Sequence, residues 1–201
     1  MTANRIDLSA YKAIIFDMDG TLIDSMGAHM EAWKQTCDSF GIPFDRQYMH
    51  GLGGVPTKKT VEMLNEKYAM NHEPADVAMR KREVWETMDF IPALIAETAD
   101  IFHHYRPSMK VAIGTGSERP HAEHLLNHHD LMSKLDAMVT ASDVTHGKPH
   151  PETFLTAAKL MNVAPEDCVV FEDTEIGRQA AERAGMDCYL VIDGKVKRQG
   201  D

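Results

Sequence analysis

What this chain has little of narrows its class. Only three residues are cysteine, Cys37, Cys168 and Cys188, an odd number without metal-ligand spacing. That argues against a disulfide scaffold and leads us to expect a reducing, cytoplasmic compartment. Basic residues are outnumbered, 21 Lys and Arg against 31 Asp and Glu, for a formal net charge of −10. Such a balance argues against nucleic acid or an anionic membrane as partner. No apolar run approaches the roughly 20 residues that span a bilayer, and the first residues carry no signal-peptide core. Internal repeats and low-complexity linkers are also missing. A length of 201 residues suits one domain, or a core with a small insertion.

What is there begins with Asp17-Met18-Asp19-Gly20-Thr21, directly after the apolar run Ala13-Ile14-Ile15-Phe16. A run with no polar side reads as a central strand of a parallel α/β sheet. Gly20 then breaks the strand and lets backbone approach a ligand, so Gly20 and Thr21 are candidate substrate contacts. Ligands of open α/β sheets bind outside the carboxyl ends of the strands. Two acids this close repel unless one is protonated or a cation lies between them. Magnesium, a hard ion that takes oxygen ligands and bridges to phosphate, would resolve the conflict. One carboxylate could then attack phosphorus and the other move a proton to the leaving oxygen. A solvated turn would account for Asp-x-Asp-Gly equally well.

Three further segments bear on the choice. Val111-Ala112-Ile113-Gly114-Thr115-Gly116-Ser117 is a second strand running into a small, hydroxyl-bearing turn. Ser117 is the expected N-cap of a helix from Glu118 to about Asn127. Thr115, Gly116 and Ser117 make a natural phosphate seat, or a plain strand-to-helix connection. Gly147-Lys148-Pro149-His150-Pro151-Glu152 puts Lys148 in a loop before a helix with Phe154, Ala158 and Met161 on one face. Its ammonium could neutralise a carboxylate and a phosphoryl oxygen together, or stay solvated at the surface. Cys168-Val169-Val170-Phe171 is a third strand, ending in Glu172-Asp173-Thr174. The acidic pair could complete a metal site. Thr174 is the expected cap of a helix from Glu175 to Ala184, closed by Gly185.

In this order, from Tyr11 to Ile192, the four segments resemble the haloacid dehalogenase superfamily of aspartate-nucleophile phosphotransferases. The resemblance implies a Rossmann-like parallel-sheet core with an inserted helical cap domain. It implies that Asp17 is the nucleophile, and that Asp19 is the general acid/base and a magnesium ligand through its backbone carbonyl. By the same resemblance Thr115 holds the phosphoryl group and Lys148 steadies its charge. Asp173 would bind the metal directly and Glu172 through a water. The family's lysine-proline bond, here Lys148-Pro149, is often cis. Asp19 must carry a proton when the leaving oxygen departs, so its proton affinity is expected to be raised.

The stretch between the first two strands is too long for an ordinary crossover and is filled with helical patterns. Helices are expected over Ala28–Phe40, stopped by Gly41, and over Pro56–Tyr68 and Pro74–Phe90. The expected division is a core of residues 1–24 and 94–201 with a cap of 25–93. Further strands are expected at Ala137–Thr140 and Asp187–Ile192. Cap residues would set substrate choice. His29 and Trp33 are four apart and share a helix face. His29 and Lys81 match positions that meet the catalytic acid in capped sugar-phosphate enzymes of the superfamily, though each taken alone reads first as ordinary helix surface or cap core. The segment Leu52 to Lys59 resembles the cap's specificity loop, with Thr57 where β-phosphoglucomutases carry a phosphate-gripping arginine. The pattern is similar to the branch of sugar phosphatases acting on fructose 1-phosphate and 6-phosphogluconate. Lys58 or Lys59 could still recruit a second phosphate, which keeps a β-phosphoglucomutase-type isomerase as the alternative. A small phosphorylated sugar is the implied partner, and a monomer is compatible with the sequence. The histidines of 121, 124, 128 and 129 read as a solvated helix face, and the 14 methionines as core filler.

Overall fold

Strand β1 (Ala13–Phe16) is buried along its whole length, so its place is decided by the need to cover both faces. In the computed structural model, which describes residues 6–88 and 90–197, it lies at the centre of a six-stranded sheet. After it the chain runs through α1 (Met26–Phe40), α2 (Arg46–Gly51), α3 (Thr57–Tyr68), α4 (Pro74–Thr87) and α5 (Ala96–Tyr105). It returns to the sheet as β2 (Lys110–Gly114), followed by α6 (Arg119–His128), β3 (Ala137–Val139), α7 (Glu152–Met161) and β4 (Cys168–Glu172). The last elements are α8 (Glu175–Arg183), β5 (Asp187–Ile192) and β6 (Lys195–Lys197). The strand order is β3-β2-β1-β4-β5-β6. All pairs are parallel except β5 with β6.

Alternation along β1 sends its residues to two cores. Ile14 and Phe16 pack with Ile101 and Phe102 of α5 and Leu125 of α6. Ala13 and Ile15 pack with Phe154 and Met161 of α7 and Ala180 of α8. The rings of Phe16, Phe171 and Tyr189 stack across three strands, with centroids 5.1 and 5.4 Å apart. Each fully buried Phe or Ile contributes about 1.5–3 kcal/mol from burial. Because β2 and β4 flank β1 on opposite sides, their carboxyl ends open a crevice beside Asp17.

Helices α1–α4 have a core of their own, in which Trp33, Cys37, Met49, Leu64 and Val77 meet. The outgoing and returning chains pair beneath it, Asp24 N–H to Ala93 O at 2.9 Å and Ile95 N–H to Leu22 O at 2.9 Å. No helix among the described residues is long and apolar enough to cross a membrane.

Several element ends differ from expectation. Helix α4 stops at Thr87 rather than Phe90, and α3 starts at Thr57 with Pro56 as its cap residue. Ser117 does not cap α6; Glu118 takes that position, because the Ser117 hydroxyl is drawn to Asp19 instead. Thr174 does cap α8, accepting from Gly177 N–H at 3.1 Å. Helices α2 and α5 and the antiparallel edge strand β6 were not foreseen. The signal for α5 was present in Thr98, Ile101, Phe102 and Tyr105, one face at helical spacing.

Candidate active site

The carboxyl ends of β1 and β2 deliver Asp17, Asp19, Thr115 and Ser117 to the lining of a cavity of about 630 Å³, and the end of β4 lies beside Asp17. Asp17 extends the β1 register, its N–H bonding Phe171 O at 2.9 Å, and the residue is 3% exposed. From the loop before α7, Lys148 reaches in with a fully buried side chain. Its Nζ donates to Asp17 Oδ1 and to Glu172 Oε1, each at 2.6 Å. The other Glu172 oxygen accepts from Thr174 N–H at 2.7 Å and Thr174 Oγ1 at 2.8 Å. Glu172 is thus turned to the lysine and the start of α8, with protein donors on both oxygens, and not toward an open ligand position. Gly177 makes room for it: a Cβ there would lie 1.9 Å from Glu172 Cδ. The Lys148-Pro149 bond is cis.

Asp173 is held by Thr21, whose Oγ1 donates to Oδ1 at 2.9 Å. Gly20, with φ of +86°, lies so close that a Cβ would be 2.3 Å from Asp173 Oδ2. Burial and the neighbouring Glu172 push the Asp173 carboxyl up to about 7, against Thr21 and Lys148. Asp17 is also raised well above the usual range, by burial first, with Lys148 opposing and Glu172 and Asp173 adding. Burial disfavours the Lys148 ammonium, yet Asp17 and Glu172 hold it above its ordinary value. Three acids therefore stand around one ammonium that pairs directly with two of them. The surplus of negative charge fits a hard divalent cation at Asp17 and Asp173, as magnesium would require.

Asp19 is partnered differently. Oδ1 accepts from Ser25 Oγ at 2.6 Å and lies 3.0 Å from His29 Nε2. Oδ2 accepts from Ser117 Oγ at 2.6 Å. Burial alone would raise this carboxyl, but His29 and His121 outweigh it and hold it well below the usual range. The expected rise in proton affinity is therefore reversed in this arrangement, because hydroxyls and imidazoles surround the carboxylate. For His29, burial dominates over Asp19 and holds the imidazole below its ordinary value.

Thr115, 1% exposed, ends β2 at the cavity with its N–H on Val139 O at 2.9 Å. Its Oγ1 accepts from Ser117 N–H at 3.0 Å. Gly116 faces the loop from the helical layer: a Cβ would lie 2.0 Å from Gly54 O. Lys81 of α4 lines the cavity with its Nζ 4.9 Å from the Trp33 ring centre. Burial lowers its pKa to about 8, against Asp19 and Glu118. Lys58 is exposed and lies outside the cavity lining, unlike Thr57. The side chains of Lys58 and Lys59 leave α3 on its solvent side, and Lys59 pairs with Glu62 at 2.8 Å.

Sequence reasoning did not single out Ser25, His121, Trp85 or Gly177. The sequence reads His121 as part of a solvated helix face; instead its Nε2 lies 3.6 Å from Asp19 Oδ1. The available signal was spacing, since Ser117 and His121 are one helical turn apart, as are Ser25 and His29. Trp85 stacks on His29 with centroids 4.5 Å apart and meets His121 edge-on at 4.6 Å. Arg82 of α4 pairs with Glu118 at the start of α6, a second tie between the helical layer and the sheet.

Residues 14–191 match the family of haloacid dehalogenase-like hydrolases. Over 184 residues the chain is 41% identical to the fructose-1-phosphate phosphatase YqaB of Escherichia coli (strain K12), covering 90% of this chain and 96% of that protein. It is 30% identical over 197 residues to the beta-phosphoglucomutase of Bacillus subtilis (strain 168), covering 92% and 84% of the two chains. A solved hydrolase from Pseudomonas syringae superposes with a TM-score of 0.83 at 25% identity, over 91% of this chain and 85% of that one. With the match running from the first strand to the fifth, and Asp17, Asp19 and Thr115 at one cavity, the chain belongs to the haloacid dehalogenase-like hydrolase family.

Proposed function

We propose that this protein is a magnesium-dependent phosphatase of small sugar phosphates of the fructose 1-phosphate or 6-phosphogluconate type. The observation that carries the reading lies beneath the cavity at Asp17, where two buried acids, Asp17 and Glu172, share one buried ammonium and Asp173 adds a third carboxyl beside them. Residues 25–93 act as the cap and residues 1–24 and 94–201 as the core. Asp17, Asp173 and the backbone carbonyl of Asp19 would hold magnesium, which supplies positive charge against the phosphoryl oxygens when bound.

Asp17 attacks phosphorus through Oδ2, the oxygen that Lys148 does not hold. The bond from phosphorus to the sugar oxygen breaks, and that oxygen takes a proton from Asp19. The products of this step are an aspartyl-phosphate on Asp17 and the free sugar. A phosphate dianion arriving beside Asp19 raises its proton affinity, which supplies the protonated acid that the substrate-free arrangement disfavours. In the second step the Asp19 carboxylate takes a proton from water as its oxygen attacks phosphorus. The bond to Asp17 breaks and inorganic phosphate leaves. Lys148 and the Thr115 hydroxyl steady the transferring group, while Gly20, Thr21, Gly116 and Ser117 shape its seat. His29 and Lys81 meet the sugar end.

The similarity to a beta-phosphoglucomutase keeps phosphate transfer within a sugar as a second reading. Against it, Lys58 and Lys59 lie off the cavity, and Thr57 offers no charge to a second phosphate. The test is phosphate release with magnesium from fructose 1-phosphate, 6-phosphogluconate and β-glucose 1-phosphate, the last with and without glucose 1,6-bisphosphate. Steady release from the first two is expected. Bisphosphate-dependent formation of glucose 6-phosphate with little release would replace the phosphatase by a mutase.

A further inference from the structure

Asp19 has a second identity that phosphate chemistry leaves unused. Its Oδ1 faces two imidazoles at once, His29 Nε2 at 3.0 Å and His121 Nε2 at 3.6 Å, and all three atoms lie within 4.8 Å of one another. The His121 contact is too long for a hydrogen bond. Its Nε2 is buried without a hydrogen-bond partner and faces the carboxylate, a ring nitrogen left for a ligand to engage. Trp85 wedges both rings, stacked on His29 and edge-on to His121. Ser25 and Ser117 fix the carboxylate from behind, as outer-shell partners do for metal-binding acids.

We propose that Asp19 Oδ1, His29 Nε2 and His121 Nε2 form a binding site for Zn2+, on side-chain atoms other than the oxygens given to magnesium. Tetrahedral zinc with bonds near 2.0–2.1 Å needs ligand atoms about 3.3 Å apart, and the two distances to Oδ1 fall on either side of that value. Two nitrogens and one oxygen suit zinc and not magnesium, which prefers oxygen throughout. All three residues line the cavity, so the fourth position opens to water. A second trio, His146, His150 and Glu152, differs in kind. Its carboxylate already accepts the N–H groups of Thr145 and His146 at 2.8 and 2.9 Å, and both imidazoles are exposed. Resting on the proposed function, zinc would take Asp19 out of proton transfer and block turnover, and added magnesium would not displace it.

The test is equilibrium dialysis of the full chain against Zn2+ in excess Mg2+, with Co2+ as the spectroscopic probe. One high-affinity zinc per chain is expected, with the strong visible absorption of four-coordinate cobalt. His121→Leu should weaken zinc at least ~100-fold, since even outer-shell changes cost 10–100-fold. His29→Gln should do the same, and the thermal unfolding of both metal-free variants checks that they fold. The His146→Ala/His150→Ala double variant should retain the ion. Unchanged binding in folded His121→Leu, or loss of binding in the double variant, would overturn the site. Zinc bound at His121 with turnover intact would uphold the site and refute the role given to Asp19.

Discussion

Replacing Lys148 by methionine removes one charge from a place where it serves two acids. The side chain is 0% exposed, and its Nζ is 2.6 Å from both Asp17 Oδ1 and Glu172 Oε1. Methionine fills similar space without the ammonium, so two buried carboxyls lose their shared partner. Breaking a buried pair by removing one member costs about 3–5 kcal/mol. For a chain of this size, 1 kcal/mol moves Tm by roughly 2–4 °C, which puts the expected drop at roughly 6–20 °C. The pH dependence has a definite sign. Burial, Glu172 and Asp173 already raise Asp17 above its ordinary 3.8, and Lys148 is the group pulling it down. Without the lysine the folded variant binds protons that its unfolded chain does not. Its deficit against the wild type should therefore shrink as pH falls from 7.5 toward 5, by up to about 1.4 kcal/mol per pH unit. Urea unfolding of metal-free protein at several pH values measures this directly. Adding Glu172→Gln should recover about 0.5–3 kcal/mol as coupling between the two sites. A variant within ~1 kcal/mol of wild type at pH 7.5, or a deficit that widens toward pH 5, would refute the shared-charge account.

Asp17→Asn should abolish phosphate release while the protein stays folded, because Lys148 keeps Glu172 as a partner; retained turnover would remove Asp17 as nucleophile. Gly177→Ala drives a Cβ to 1.9 Å from Glu172 Cδ, so overpacking should cost about 1–3 kcal/mol and slow turnover through Lys148. Lys81 titrates near 8, and loss of its charge as pH rises through that value should raise KM for a phosphate ester. That rise should flatten in Lys81→Met. Between about 8 and 10.5 the folded chain also binds fewer protons than the unfolded one, so this group adds stability as pH rises there. Asp173→Ala should raise the magnesium needed for half-maximal rate at least ~10-fold in a metal titration, and an unchanged requirement would count against the metal site.

The strand-end acids were readable because strong local patterns carry them. A buried four-residue run must lie inside a sheet; Asp17 and Thr115 follow such a run directly, and Asp173 follows one after Glu172. Thr174 was readable as a cap for the same reason, since a cap depends on residues one to three positions away. Side-chain partnerships were not readable in this way. Lys148 and Asp17 are 131 residues apart, and nothing local distinguishes an ammonium bridging two acids from one in water. Ser117 shows the limit from the other side. Local chemistry made it a helix cap, but Asp19, 98 residues away, competes for its hydroxyl and wins with a charge-assisted bond. Lys58 faces outward because the apolar side of α3, through Val61 and Leu64, is turned to the helical core.

The order of apolar runs and acidic turns was thus enough to specify a parallel α/β sheet with its chemistry at the strand ends. That His121 joins His29 at Asp19, which lysine stays in solvent and how the acids divide their proton affinities were decided only when the helices closed over the sheet. Those properties depend on burial and on charges brought within a few ångströms, and both come from packing between segments distant in the chain.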